Sequence, residues 1–314
     1  MGIGFALLVA FLSQSANISA QSFGINSELE SKEIADKIEE LGAGWVRVTA
    51  DWFRIEKTKG IFDWSEPDQQ LKLARQRNLK VYMLLYGAPR WANGGKSEKD
   101  PPIKTADWVD FVKAITLRYS RHSALGGFGM WNEPNLSRFW SGSKKEYVEK
   151  ILIPGYQTVK SVDPEIIVGA PELSHHWMDQ GKWRLWDILK AANGNFDVVT
   201  VHYYPDSDLD FGDYLDRWNK PHLQGKPLWV TEVGEIACSG VRDSEKKQAE
   251  TYQTFLRVFQ ERRSWFQVIF PYRIWDPEDS CATGNGFGLT FGSPLLERPA
   301  FGIYRDFLRT QDQS

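Results

Sequence analysis

From residue 22 onward, short apolar runs alternate with longer segments whose apolar positions recur at helical spacing. SFGIN (22–26) precedes SKEIADKIEELG (31–42), where Ser31 is the expected helix cap and Gly42 the expected stop. WVRVTADW (45–52) precedes PDQQLKLARQRN (67–78), and KVYMLLYGAP (80–89) precedes TADWVDFVKAITLRYS (105–120). GFGMWNEPN (127–135) leads to 143–162, IIVGAPEL (166–173) to 182–193, and DVVTVHYYP (197–205) to 213–219. PLWVTEVGE (227–235) leads to 244–263, and FQVIFPYRIWD (266–276) to 299–310.

These are eight strand–helix units in a chain of 314 residues. The strands are almost continuously apolar, as expected when both faces of a parallel sheet are covered. No polar linker or low-complexity tract interrupts the series. The pattern predicts an α/β protein, a single-domain (β/α)₈ TIM barrel over residues 21–314; such barrels typically take about 250 residues. A doubly wound open sheet would want a glycine-rich phosphate loop after an early strand, and none is evident.

The segment before the first strand has another character. GIGFALLVAFL (2–12) is apolar, and SQSANISA (13–20) is small and polar. The apolar run is too short for a membrane span, which needs about 20 residues. Residues 1–20 are therefore expected to be a signal peptide, and the chain secreted to an extracellular or periplasmic space with no membrane contact after cleavage. An uncleaved anchor is the alternative.

Composition narrows the partners. The chain is 42% hydrophobic and 25% charged, with a net charge of −3 and scattered basic residues, so neither nucleic acid nor an anionic membrane is favoured. The 14 Trp, 11 Tyr and 18 Phe either fill the core or, in part, line a groove where flat rings stack on sugars. Two cysteines follow strands seven and eight, which puts Cys238 and Cys281 in adjacent loops on one face of the barrel. A disulfide between them is expected, with two buried thiols as the alternative. No HExxH or CxxC spacing occurs, so neither a metal nor another cofactor is expected.

Barrel active sites form at the C-terminal ends of the strands. Polar and aromatic residues falling there are Arg47, Asp51 and Trp52; Tyr86 and Trp91; Asn132 and Glu133; Glu172, His175, His176 and Trp177; His202 and Tyr204; Glu232; and Trp275 with Asp276. Singly, most have an ordinary structural explanation. Glu133 and Glu232 do not, because an ionised glutamate closing an apolar strand is costly without a use. Two carboxylates facing one another across a small cavity suit glycoside hydrolysis, one as proton donor and one at the anomeric carbon.

WNEPN (131–135) at strand four and WVTEVG (229–234) at strand seven resemble the acid/base and nucleophile signatures of the clan A glycoside hydrolases, with families 39 and 5 the nearest. The resemblance implies a retaining β-glycosidase with Glu133 as acid/base and Glu232 as nucleophile. It implies that Asn132 meets the sugar 2-hydroxyl, that Arg47 supports the nucleophile, and that His202 and Tyr204 form the H-x-Y pair of strand six. It also implies that Trp275 floors the sugar site. Trp52, Trp91, Trp140 and Trp177 are candidates for further sugar subsites. Glu133 is expected to have a raised pKa, from Trp131 and the charge of Glu232, and Pro134 is expected to end its strand. The implied substrate is a polysaccharide or oligosaccharide. The mostly short loops after the strands leave a cleft open at both ends, which favours internal cleavage, and a monomer is expected. A transglycosylase with the same intermediate and a non-catalytic sugar-binding barrel are the alternatives.

Overall fold

The computed structural model describes residues 22–175, 183–205, 210–217, 223–238, 241–277 and 286–311. Eight parallel strands follow one another in chain order around one sheet. They are β1 (Gly24–Asn26), β2 (Trp45–Asp51), β3 (Lys80–Tyr86), β4 (Leu125–Met130), β5 (Ile167–Leu173), β6 (Val198–Tyr203), β7 (Leu228–Val233) and β8 (Phe266–Pro271). A parallel bridge between Phe23 and Ile269 joins the first strand to the last and closes the ring. The expected (β/α)₈ barrel is therefore present, with helices between the strands. The first helix, Lys32–Leu41, shows how directly local chemistry sets its ends. The Ser31 side chain accepts a hydrogen bond from the Ile34 N–H, and Gly42 adopts φ 86°. Among the described residues, no helix is long and apolar enough to cross a membrane.

Two apolar layers hold the barrel. The larger lies between sheet and helices. The smaller fills the barrel itself with Trp45, Tyr82, Val198, Trp229, Val268 and Phe270. Tyr82 on β3 meets Trp229 on β7 at 5.5 Å between ring centroids, a contact possible only through the interior. Glycines make room for these rings. A Cβ on Gly169 would stand 2.0 Å from the Tyr82 hydroxyl and 2.7 Å from a Thr200 methyl. Gly169→Ala is accordingly expected to cost about 1–3 kcal/mol by overpacking. A chemical-denaturation midpoint equal to wild type would refute that account of the packing.

Beyond β8 the chain leaves the barrel. Trp275–Asp276 (β9), Thr290–Phe291 (β10) and Leu296–Glu297 (β11) form a small separate sheet.

Candidate active site

Backbone irregularities at the strand ends aim the polar side chains inward. β4 stops at Met130, and Trp131 then takes φ 75° and Glu133 φ 37°. The strand thus ends before Pro134, at a turn into left-handed backbone rather than at the proline. Hydrogen bonds hold this turn: Trp131 N–H donates to Leu85 O at 2.9 Å and Glu133 N–H to Glu172 O at 3.0 Å. On β5 the pairing register shifts between Pro171 and Leu173, and Glu172 between them has φ 55°. Its N–H is satisfied by Thr200 Oγ1 at 2.9 Å. Such conformations cost on the order of 1–3 kcal/mol each and are kept where the surroundings enforce them. A register shift at Val201/His202 likewise breaks the regular ladder at the end of β6.

Three carboxylates meet Arg47, His202 and Arg138 at this rim. An oxygen of Glu133, an oxygen of Glu232 and a ring nitrogen of His202 all lie within 4.8 Å of one another. Arg47 Nη1 donates to Glu232 Oε1 at 2.8 Å and to Asn26 Oδ1 at 2.8 Å. Its Nη2 donates to Asn132 Oδ1 at 3.1 Å and Glu172 Oε2 at 3.2 Å. The Tyr204 hydroxyl donates to Glu232 Oε2 at 2.6 Å. His202 Nδ1 lies 2.9 Å from Glu133 Oε1, and its Nε2 lies 3.3 Å from Glu172 Oε2. Arg138 Nη2 donates to Glu133 Oε2 at 3.1 Å. Glu172 is fully buried, and also accepts from Tyr82 at 2.5 Å and from Thr231 at 2.8 Å. Glu133, His202 and Glu232 carry metal-binding atom types, but the carboxylate oxygens of both glutamates already accept from N–H and O–H donors. The geometry is that of a hydrogen-bonded charge cluster.

Electrostatics follow from these contacts. Burial pushes Glu133 up, but the hydrogen bond and charge of His202, with Arg138 behind, outweigh it and hold the carboxyl at about 2. This corrects the expected raised pKa: a cationic ring at hydrogen-bond distance outweighs apolar neighbours. Burial of Glu172 is outweighed by Arg47, His202 and Tyr82, which bring it to about 2. His202 is lifted to about 9 by Glu232, Glu133 and Glu172 against its own burial. Burial, and then the charge of Glu232, keeps Tyr204 a neutral phenol.

The cluster forms one wall of a cleft of ≈ 720 Å³. Aromatic rings of Tyr86, Phe139, Tyr204, Tyr272 and Phe287 line it, as do Glu28, Glu30, Glu66 and Asp51, the last paired with Arg54 at 3.1 Å. Desolvation pushes Glu28 up to about 7 and Asp51 up to about 6.

Stability should track these shifts. The lowered Glu133 and Glu172 contribute stability that is full above their unfolded pKa of 4.5 and is lost as pH falls toward about 2. The raised His202 contributes stability that is full below 6.5 and is lost as pH rises through about 9. Glu28 and Asp51, raised carboxylates, also lose their contribution with rising pH, by about 7 and 6. The sum predicts a maximum thermal midpoint near pH 4.5 and a decline toward about 9. A midpoint still climbing between about pH 5 and 9 would contradict the assignment.

Of the residues expected from sequence, Arg47, Asn132, Glu133, His202, Tyr204 and Glu232 converge. The tryptophans do not. Trp52 is fully buried against Phe111, and Trp140 is buried against Trp131, so neither offers a face to a sugar. Trp91 is half-buried, donates to Glu56 O at 2.7 Å and lies outside the cleft lining. Trp275 belongs to β9, donates to Gly292 O at 2.9 Å and is also absent from the lining; the chain has left the barrel by then. These four expectations are corrected. Trp177, His176, Cys281 and the expected signal peptide lie outside the described residues. Cys238 is buried after β7, and no cysteine among the described residues is a free thiol. Sequence reasoning missed Asn26, Tyr82, Arg138, Tyr272 and Phe287. Tyr82 could have been found from the inward-facing alternation of β3.

Comparisons with known proteins agree with this geometry. The chain is 31% identical over 91 residues to a β-xylosidase of Geobacillus stearothermophilus, covering 26% of this chain and 18% of that protein. It is 24% identical over 291 residues to a probable glucan 1,3-β-glucosidase A of Aspergillus clavatus, covering 74% of this chain and 66% of that one. The match thus spans less than a quarter of that β-xylosidase and about two thirds of the glucosidase. A family 39 glycoside hydrolase from Bacteroides cellulosilyticus superposes with a TM-score of 0.70 at 17% identity, over 91% of this chain and 63% of that one. Xylanase B from Clostridium stercorarium superposes with a TM-score of 0.68 at 17% identity, over 91% of this chain and 96% of that one. At such identities these two establish likeness of fold. Residues 11–266 match the family described as cellulase (glycosyl hydrolase family 5). With the match covering most of its length, the chain belongs to this glycosyl hydrolase family.

Proposed function

We propose that the protein hydrolyses β-glycosidic bonds by double displacement, with Glu232 as nucleophile and Glu133 as acid/base. The observation that carries this is the spacing of two buried strand-end carboxylates, whose oxygens approach within 4.8 Å. Retaining enzymes hold their carboxyl groups about 5–5.5 Å apart, whereas inverting enzymes leave about 6.5–9.5 Å for a water. Arg47 and Tyr204 grip both oxygens of Glu232 and hold the carboxyl group in place for attack on the anomeric carbon. Asn132, its Oδ1 taken by Arg47, offers its amide NH₂ to a sugar hydroxyl. Tyr272, Phe287 and Phe139 replace the expected tryptophans as apolar surfaces for sugar rings.

The names of the relatives make β-xylosidic and β-glucosidic polymers the first substrates to try. We propose internal cleavage, secretion after loss of residues 1–20, a monomer, and a disulfide joining Cys238 to Cys281; the absence of a free thiol among the described cysteines supports the last. The test is a panel of xylan, β-glucan and mannan, with reducing ends and viscosity followed together. Release of reducing ends with an early fall in viscosity is expected. Binding without release from any polymer would instead make this a sugar-binding barrel. Elongated products in place of free sugar would make it a transglycosylase.

A further inference from the structure

We propose that Glu172 is a positioning residue of the acid/base machinery: from beneath the site it holds His202 in the tautomer whose Nδ1 exchanges a proton with Glu133. Hydrogen counting drives this inference. An ionised carboxylate only accepts hydrogen bonds. Both ring nitrogens of His202 face carboxylates: Nδ1 lies 2.9 Å from Glu133 and 3.5 Å from Glu232, and Nε2 lies 3.3 Å from Glu172. The Glu133 and Glu172 contacts can both be hydrogen bonds in three states: an imidazolium between two carboxylates, a neutral Nε2–H imidazole accepting at Nδ1 from a protonated Glu133, or a neutral Nδ1–H imidazole accepting at Nε2 from a protonated Glu172. Donors from Arg47, Thr231 and Tyr82 keep Glu172 ionised and close the third. The first two differ by one proton moving across the 2.9 Å contact. The Nδ1–H bond breaks and the Glu133 O–H bond forms, so the ring loses its positive charge and the carboxylate its negative one. No other group gains or loses a proton.

This reconciles the low pKa of Glu133 with an acid's task. The free site stores the required proton on His202, next to the residue that must deliver it. Glu172 is what makes the store directional. Its Oε2 accepts from Arg47, Thr231 and the His202 ring, and its Oε1 from Tyr82. Gly129 and Gly169 leave the space: a Cβ at Gly129 would lie 3.1 Å from Glu172 Oε1, and one at Gly169 would strike the Tyr82 hydroxyl. A carboxylate so thoroughly supplied with donors stays ionised, and so keeps the Nε2 proton in place while Nδ1 gives up its own. Glu232 at 3.5 Å is the remaining charged group facing the ring, and Arg47 and Arg138 lie behind the carboxylates.

Only the kinetic consequence rests on the reading of Glu133 as acid/base, and the tautomer is measured without turnover. In ¹⁵N-histidine-labelled enzyme, the resonances lost in His202→Asn identify the ring. Below its midpoint both nitrogens should be protonated. Above it, Nδ1 should lose its proton while Nε2 keeps its own. In Glu172→Gln the midpoint should fall by about 1–3 pH units, because the facing charge is gone while hydrogen-bond acceptance is kept. The alkaline limb of kcat/KM should fall with it. A purely structural partner of Arg47 would leave the midpoint unmoved. An Nδ1–H neutral tautomer in wild type, or an unchanged midpoint in a folded Glu172→Gln, overturns the proposal. If that variant does not fold, the wild-type tautomer decides alone. Inverting hydrolysis would sink the double displacement and leave the tautomer result standing, whereas an Nδ1–H tautomer with retained products sinks only the present inference.

Discussion

Glu232→Gly should lower kcat by roughly 10⁵- to 10⁶-fold, the scale seen when a covalent nucleophile is removed from an otherwise intact site. Leaving-group quality should not rescue it, because no glycosyl ester can form without the carboxylate. Added azide should restore turnover in a particular sense. The vacated space lies between Arg47 and Tyr204, whose donors at 2.8 Å and 2.6 Å are left without their acceptor. A small anion bound there attacks from the nucleophile's face while Glu133 still protonates the leaving oxygen. The product is then an α-glycosyl azide, inverted relative to a β-linked substrate. A β-glycosyl azide, or wild-type activity without azide, would remove Glu232 from the role.

Glu133→Ala should behave differently with each substrate. On polysaccharide, where the departing alkoxide needs a proton, the loss should be about 10²- to 10⁴-fold, as for a general acid. On an aryl glycoside with an acidic phenol the first step should survive, since that leaving group needs no proton. The intermediate on Glu232 should then accumulate, because no base activates water. Azide, which needs no deprotonation, should intercept it and give the β-glycosyl azide. Removing Glu133 also strips His202 of its Nδ1 partner, so the alkaline limb of the pH profile should change as well. Equal losses on both substrate types would mean that Glu133 does not donate the proton.

Much of this site was legible in the chain itself, and the failures have physical causes. Ser31 and Gly42 bound the first helix because capping is local chemistry. The eight strands were legible because burial on both faces leaves an unbroken apolar texture. Glu133 and Glu232 stood out because a charge ending such a strand is expensive. The tryptophans misled because a strand's end is set by neighbours far away in sequence. β2 ends at Asp51 and a helix begins at Trp52, which turns that ring into the core. β8 ends at Pro271, four residues before Trp275, and Tyr272 lines the cleft instead. The sign of the Glu133 shift was beyond reach for the same reason. It depends on a histidine 69 residues away that is wedged between carboxylates from three other strands. No spacing rule encodes that arrangement; it follows from closing the barrel.

Double displacement by Glu232 and Glu133 stands or falls on stereochemistry. Wild-type enzyme is mixed with a β-linked oligosaccharide that it cleaves, and the anomeric proton of the new reducing end is followed by NMR before mutarotation sets in. The account predicts that the β-anomer appears first and the α-anomer grows in only with mutarotation. Initial release of the α-anomer would contradict it, because a single displacement by water would then be the chemistry, and the approach of the two carboxylates to within 4.8 Å would need another explanation.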